Sequence, residues 1–167
     1  MIFVDEANVY YGLLKFDLKK RIDYVKFKEI MAKGCHLVGA EIFMGKLHKV
    51  LDEQQKFYDY LKSAGYNIHF RKVQKAKSGK RKQKGIDILM YKEIIEWAER
   101  DAYDKCILVS GDGDFTVVVE KLKDLHKSVV IWSFMPSLSQ DLIDMAGREN
   151  IFFIEPILND IEYLPEN

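Results

Sequence analysis

Two features of the sequence predict an α/β fold with a mainly parallel sheet and helices on both faces. Short, near-continuously apolar runs rich in Ile, Val, Leu and Phe alternate with longer amphipathic stretches along the chain. Runs of that kind are what strands buried on both faces require. Aspartates recur directly after these runs, at the strand ends where open parallel sheets bind ligands. With 167 residues, the chain suits one domain with a sizeable core.

The elements follow in order. Ile2-Phe3-Val4-Asp5 reads as the first strand and residues 7–16 as a helix. A second helix is expected over 24–33 and a second strand over 36–44. In the helix expected at 51–64, Leu51, Phe57, Tyr58, Leu61 and Ala64 share one face, and Gly65 follows as a helix-ending glycine. Residues 66–72 read as the third strand. In the helix expected over 86–100, Ile88, Leu89, Tyr91, Ile94, Ile95 and Ala98 make a broad apolar face, opposite Lys92, Glu93, Glu96, Glu99 and Arg100. Strands at 105–110, 128–133 and 151–154 complete the pattern, with helices at 114–125 and 138–147, the last capped by Ser137 or Ser139. Strand–helix alternation implies right-handed crossovers. Residues 1–155 form the expected domain, and 156–167 a C-terminal tail that packs on it or frays.

One segment breaks the alternation. Eight of the fourteen residues from Arg71 to Lys84 are Lys or Arg, none is acidic, and Ser78-Gly79 sits near its middle. It reads as a flexible basic loop leading straight into the helix that carries Asp87.

Composition narrows the function classes. The chain is 48% hydrophobic and 31% charged with zero net charge, so attraction for nucleic acid must come from local patches. Cys35 and Cys106 lie far apart in apolar contexts and read as reduced core thiols, without zinc or redox spacing. No apolar run is long enough to span a membrane, and a cytoplasmic location is expected. His36, His48, His69 and His126 are scattered, His36 and His69 reading as satisfied polar residues; Trp97 and Trp132 read as core. No glycine-rich nucleotide loop is present.

The chemistry rests on the aspartates. Asp5 ends the first strand, Asp112 and Asp114 follow the fourth in Ser110-Gly111-Asp112-Gly113-Asp114-Phe115, and Asp87 opens its helix. If the first and fourth strands are parallel neighbours, these carboxylates converge. At an effective dielectric near 20, two carboxylates ~5 Å apart repel by roughly 3 kcal/mol. A divalent cation removes that penalty, so the cluster reads as a hard-metal site with oxygen ligands. Asn8 adds a side-chain amide to the crevice, and Ser110-Gly111 leaves room for a phosphate or metal at the backbone. Tyr10 and Tyr11 follow Asn8 as core, helix-surface or base-stacking residues. Ala7 stands where a phospho-aspartate enzyme needs its second acid, two residues after Asp5, which argues against phosphoryl transfer.

Phe3-Val4-Asp5-x-x-Asn8, Lys84-Gly85-Ile86-Asp87, Ser110-Gly111-Asp112-Gly113-Asp114-Phe115 and Ser137-Leu138-Ser139-x-x-Leu142 occur in that order. Over residues 2 to 154 the chain resembles an NYN domain of the LabA-like type, a branch of the PIN-like nuclease superfamily. The resemblance implies a Rossmann-like (PIN-like) three-layer sandwich of strand order 3-2-1-4-5 extended by a sixth strand. It also implies an acidic Mg²⁺ or Mn²⁺ site and ribonuclease activity. Carried over by motif, the catalytic and metal-binding residues are Asp5, Asp87, Asp112 and Asp114. Asn8, Ser110, Lys80, Arg81, Lys82 and Lys84 are the substrate-binding set. The chain departs from the common pattern at Glu6-Ala7 between Asp5 and Asn8, and at Met145-Ala146-Gly147-Arg148 after the last helix. The expected reaction is metal-dependent hydrolysis of single-stranded RNA, leaving a 5′-phosphate and a 3′-hydroxyl. The alternative is an RNA-binding or regulatory module that keeps the fold and basic loop without turnover. One short domain offers little surface for a long strand, which leaves room for a homodimer.

Overall fold

The computed structural model describes residues 1–16, 20–46, 50–72, 74–75, 81–82 and 85–164. Six strands form one sheet: β1 (Ile2–Asp5), β2 (Ala40–Lys46), β3 (Asn67–Lys72), β6 (Lys105–Val109), β7 (Ser128–Ser133) and β8 (Ile151–Phe153). Two short strands, β4 (Gln74–Lys75) and β5 (Arg81–Lys82), pair separately. The helices are α1 (Glu6–Phe16), α2 (Tyr24–Met31), α3 (Asp52–Ser63), α4 (Ile86–Glu99), α5 (Thr116–Asp124) and α6 (Gln140–Ala146).

The sheet order is β3-β2-β1-β6-β7-β8, and every pairing in it is parallel. The chain builds outward from β1 to β3, then crosses back to place β6 on the other side of β1. That reversal puts the carboxyl ends of β1 and β6 side by side, Val4 opposite Val109.

Strand alternation sorts the core into two layers. Ile2, Val4, Ile42, Met44, Ile107 and Val109 face α1, α2 and α3, against Val9, Leu13, Phe27, Met31, Tyr58 and Leu61. Phe3, Phe43, Cys106, Leu108 and Ile131 face α4, α5 and α6, against Ile86, Met90, Ile94, Val118, Leu122 and Leu142. The three-layer α/β sandwich is therefore the one the alternation predicts. Leu158 and Ile161 are buried in the first layer, and Tyr163 donates its backbone N–H to the Arg21 carbonyl at 2.8 Å, so the segment after Pro156 packs on the domain through this point.

Several boundaries differ from the sequence expectation, each for a local reason. β2 starts at Ala40 rather than 36, because its partner β1 starts opposite Ala40. Residues 36–39 thus lie outside the sheet and Cys35 is exposed, correcting its reading as a core thiol; Cys106 is buried, which pushes its thiol up to about 12. Trp97 is half-buried on α4 and donates to Glu93 at 3.2 Å, while Trp132 is core. Leu51 is exposed at the start of α3, where its N–H donates to Gln54 at 3.2 Å. α6 begins only at Gln140, because Leu138 and Ser139 are extended after a 3-10 turn over Met135–Ser137, and the Ser139 N–H donates to the Gly111 carbonyl at 2.8 Å. In the basic segment, Gln74 pairs with Lys82 and Lys75 with Arg81, antiparallel, so part of the expected loop is a hairpin.

Asp23 caps α2, accepting from Val25 at 3.0 Å and Lys26 at 3.2 Å, and also receives the Tyr60 hydroxyl at 3.2 Å. Asp23→Ala removes these bonds. It should lower stability by about 1 kcal/mol, read as a shift in the urea midpoint at unchanged slope.

Candidate active site

The site is built where β1 and β6 end. Asp5 is the last residue of β1 and only 6% exposed. Strand alternation turns it toward the α4 side of the sheet. Its Oδ1 accepts the Asn8 backbone N–H at 3.1 Å, and its Oδ2 receives the Ser110 hydroxyl at 3.3 Å. Ser110 is fully buried, and its oxygen in turn accepts the Asp112 N–H at 3.2 Å. The Asn8 side-chain oxygen accepts the Gly111 N–H at 3.1 Å. Asn8 and Ser110 thus tie the β1–α1 junction to the segment after β6.

Beyond β6 the chain tightens. Asp112 Oδ1 accepts the Asp114 N–H at 3.0 Å and caps a 3-10 turn over Gly113–Phe115, which then passes into α5. This turn replaces the first residues of the helix expected from 114. Asp112 is half-buried and Asp114 exposed. Asp87 lies in the first turn of α4, after Gly85 at φ +99°, a left-handed conformation that glycine tolerates and side chains resist.

Gly111 is needed for a close approach, though not of a ligand. A Cβ there would collide with the Ser137 carbonyl and the Ser133 hydroxyl. The space expected to admit a phosphate or metal is filled by the chain's own 133–137 segment. Gly111→Ala should therefore cost about 1–3 kcal/mol by overpacking, measured by denaturant unfolding, and displace the aspartate turn.

Two of the carboxylates, Asp5 and Asp87, are shifted. Burial pushes Asp5 up to about 6; the charges of Asp87 and Asp112 add to this, and the Asn8 and Ser110 hydrogen bonds offset part of it. Burial also raises Asp87, with Asp112 and then Asp114 adding. Asp5 thus feels the charges of Asp87 and Asp112, and Asp87 those of Asp112 and Asp114. Glu6, half-buried, is pushed up to about 7 by burial and by Asp5. Its charge in turn adds to the upward shifts of Tyr24 and Tyr58, which burial dominates.

Among the described residues no three His, Cys, Asp or Glu side chains close into a ligand set. The donor set is open, hard and anionic. That fits a cation such as Mg²⁺, which keeps several waters and takes one or two carboxylates directly.

Of the expected substrate-binding residues, Lys80 and Lys84 lie outside the described residues, and only the backbone of Arg81 and Lys82 is described, in β5. Tyr10 and Tyr11 are half exposed or more on α1, edge to face with centroids 5.3 Å apart. One pair escaped the sequence reading: Glu41 on β2, 4% exposed, lies 2.6 Å from Nε2 of the half-buried His69 on β3. A carboxylate inside the apolar run Ala40-Glu41-Ile42-Phe43 was the available signal. Among the described residues no helix is long and apolar enough to cross a membrane.

Comparison with known proteins agrees with this architecture. The chain is similar to the low amplitude and bright protein LabA of Synechococcus elongatus, 27% identical over 169 residues that cover 96% of this chain and 83% of that protein. Its fold matches the crystal structure of a protein of unknown function from Vibrio parahaemolyticus, with a TM-score of 0.79 and 27% identity, covering 97% of this chain and 94% of that one. The family model for the NYN domain matches residues 1–153. That match spans nearly the whole chain, and the chain belongs to the NYN domain family.

Proposed function

We propose that this protein is a divalent-cation-dependent endoribonuclease acting on single-stranded RNA. The observation that supports the reading is that Asp5 and Asp112 stand beyond the adjacent carboxyl ends of β1 and β6, tied through Ser110, with Asp87 and Asp112 raising Asp5, and Asp112 and Asp114 raising Asp87. A pure binding module gains nothing from four like charges in one crevice.

Asp5 and Asp112, held together through Ser110, are the residues to hold Mg²⁺ or Mn²⁺ directly. Asp87 and Asp114 act from the rim, through water, and orient the nucleophile. Bound there, the cation supplies charge neutralisation at the phosphate and a water of lowered pKa. Asn8 and Ser110 are positioning residues, since their hydrogen bonds are made within the chain. The basic segment supplies phosphate contacts from Lys80, Arg81, Lys82 and Lys84, ahead of Asp87. The rival reading, an RNA-binding module without turnover, draws on the open geometry of the donor set among the described residues.

The two are separated by incubating 5′-labelled single-stranded RNA with the protein and Mg²⁺ or Mn²⁺, with and without EDTA. The nuclease yields EDTA-sensitive fragments with 5′-phosphate and 3′-hydroxyl ends. RNA retained intact by bound protein supports the binding module instead.

A further inference from the structure

The strand register extends the site sideways. Asp5 on β1 stands opposite Phe43 on β2, and Phe43 opposite His69 on β3. All three lie on the α4 side of the sheet. Neighbouring strands are ~4.8 Å apart, so along this row His69 lies about 10 Å from Asp5. Phe43 is fully buried between them, and the His69 ring stacks on it, centroids 4.5 Å apart and planes at 11°. β3 is the edge of the sheet, and among the described residues no further strand continues the row. The His69 side chain is 24% exposed.

The ring is also locked. Glu41 precedes Phe43 by two residues on the same face. Its Oε2 lies 2.6 Å from His69 Nε2, and its Oε1 accepts from Asn67 Nδ2 at 2.9 Å. Both carboxylate oxygens are engaged, and the imidazole plane is fixed. Arg71, two residues further along β3 on the same face, is exposed.

We infer that His69 is a nucleobase-binding residue. An unpaired base of the RNA strand continues the Phe43–His69 stack on the imidazole's outer face, and Arg71 takes a neighbouring phosphate. The proposal rests on the nuclease reading and specifies how its site selects single strands. Three physical points favour a base as occupant. A histidine ring offers the π-face on which unpaired bases stack. Glu41 beside it disfavours a phosphate but tolerates a neutral ring. A base within a duplex has both faces covered, so the platform takes only unpaired strands.

The test uses a short single-stranded RNA carrying 2-aminopurine, bound to the full chain in EDTA so that nothing is cut. Wild type, His69→Phe, His69→Gln and Arg71→Ala are compared, with folding checked by denaturant unfolding. Stacking predicts that His69→Phe binds within about 3-fold of wild type and quenches the fluorophore, since a phenyl ring still stacks. It predicts that His69→Gln loses about 10-fold in affinity or more, together with the quenching, although Gln can still donate to Glu41. Arg71→Ala should lower the slope of log affinity against log salt by about 0.7, one phosphate contact on a single strand. The reverse order, Gln like wild type and Phe weakened, assigns His69 to supporting Glu41 and overturns the inference, as does equal binding by all three. If that reversal comes with EDTA-sensitive cleavage by the wild type, only the platform fails. If the stacking order holds without cleavage, only the nuclease reading fails. No RNA binding by the wild type overturns both.

Discussion

Asp112→Asn is expected to lower metal-dependent RNA cleavage by at least about 100-fold while the protein stays folded. Losing an outer-sphere partner at a metal site costs roughly 10–100-fold, and Asp112 is placed here as a direct ligand. The substitution is local. Asn keeps an oxygen able to accept the Asp114 N–H, so the cap on the 3-10 turn survives. It also removes a charge that raises both Asp5 and Asp87, so the metal-free fold should be no less stable. Asp114, exposed and acting on Asp87 rather than Asp5, should matter less, about 10-fold as Asp114→Asn. Single-turnover rates with labelled RNA at saturating Mn²⁺, alongside urea unfolding of the same preparations, check both halves. Undiminished cleavage by Asp112→Asn would remove this residue from the mechanism.

The second large effect is on stability. The metal-free protein should become less stable as pH rises from about 4 to about 7. Asp5 has its folded pKa raised from 3.8 to about 6. Through that interval the folded chain binds more protons than the unfolded one, so stability falls with rising pH. The loss is complete once pH passes the folded pKa. A shift of that size in a nearly fully buried group corresponds to about 3 kcal/mol. Glu6, raised to about 7, acts in the same direction and carries the fall toward neutrality. Most proteins lose stability toward acid because their paired carboxylates are protonated; here two unpaired ones are relieved. Asp5→Asn should flatten the curve and raise metal-free stability at pH 7.5 by up to about 3 kcal/mol. Saturating Mn²⁺ should flatten it in the wild type. Unfolding free energies measured every half pH unit in EDTA settle the sign. A rise through this interval, untouched by Asp5→Asn, would contradict the burial of an uncompensated carboxylate.

Much of this was legible in the sequence because it depends on short-range features. Apolar runs such as Ile2-Phe3-Val4 and Cys106-Ile107-Leu108-Val109 are uniformly apolar because helices cover both faces, and the acids directly after them mark strand ends. What escaped depends on register between distant segments. That Ser110 donates to Asp5 follows from pairing across 105 residues. That His69 meets Glu41 and stacks on Phe43 follows from the β2–β3 register, which no local pattern states. Cys35 was misread because apolar neighbours imply burial only where a strand has a partner, and β1 offers none before Ala40. The basic segment looked like a loop because charge density masks its antiparallel pairing. Gly111 looked like room for a ligand because sequence does not reveal that Ser133 and Ser137 fill it.

The claim that four aspartates form a cation-binding active site is tested most directly by calorimetric titration of the RNA-free protein with MnCl₂ near pH 6, in buffers of different ionisation enthalpy. The expected result is saturable binding that releases protons, because Asp5 is about half protonated there before a cation arrives. Asp112→Asn should bind at least about 10-fold more weakly. Absence of saturable binding by the wild type, or equal affinity and proton release in Asp112→Asn, would contradict it.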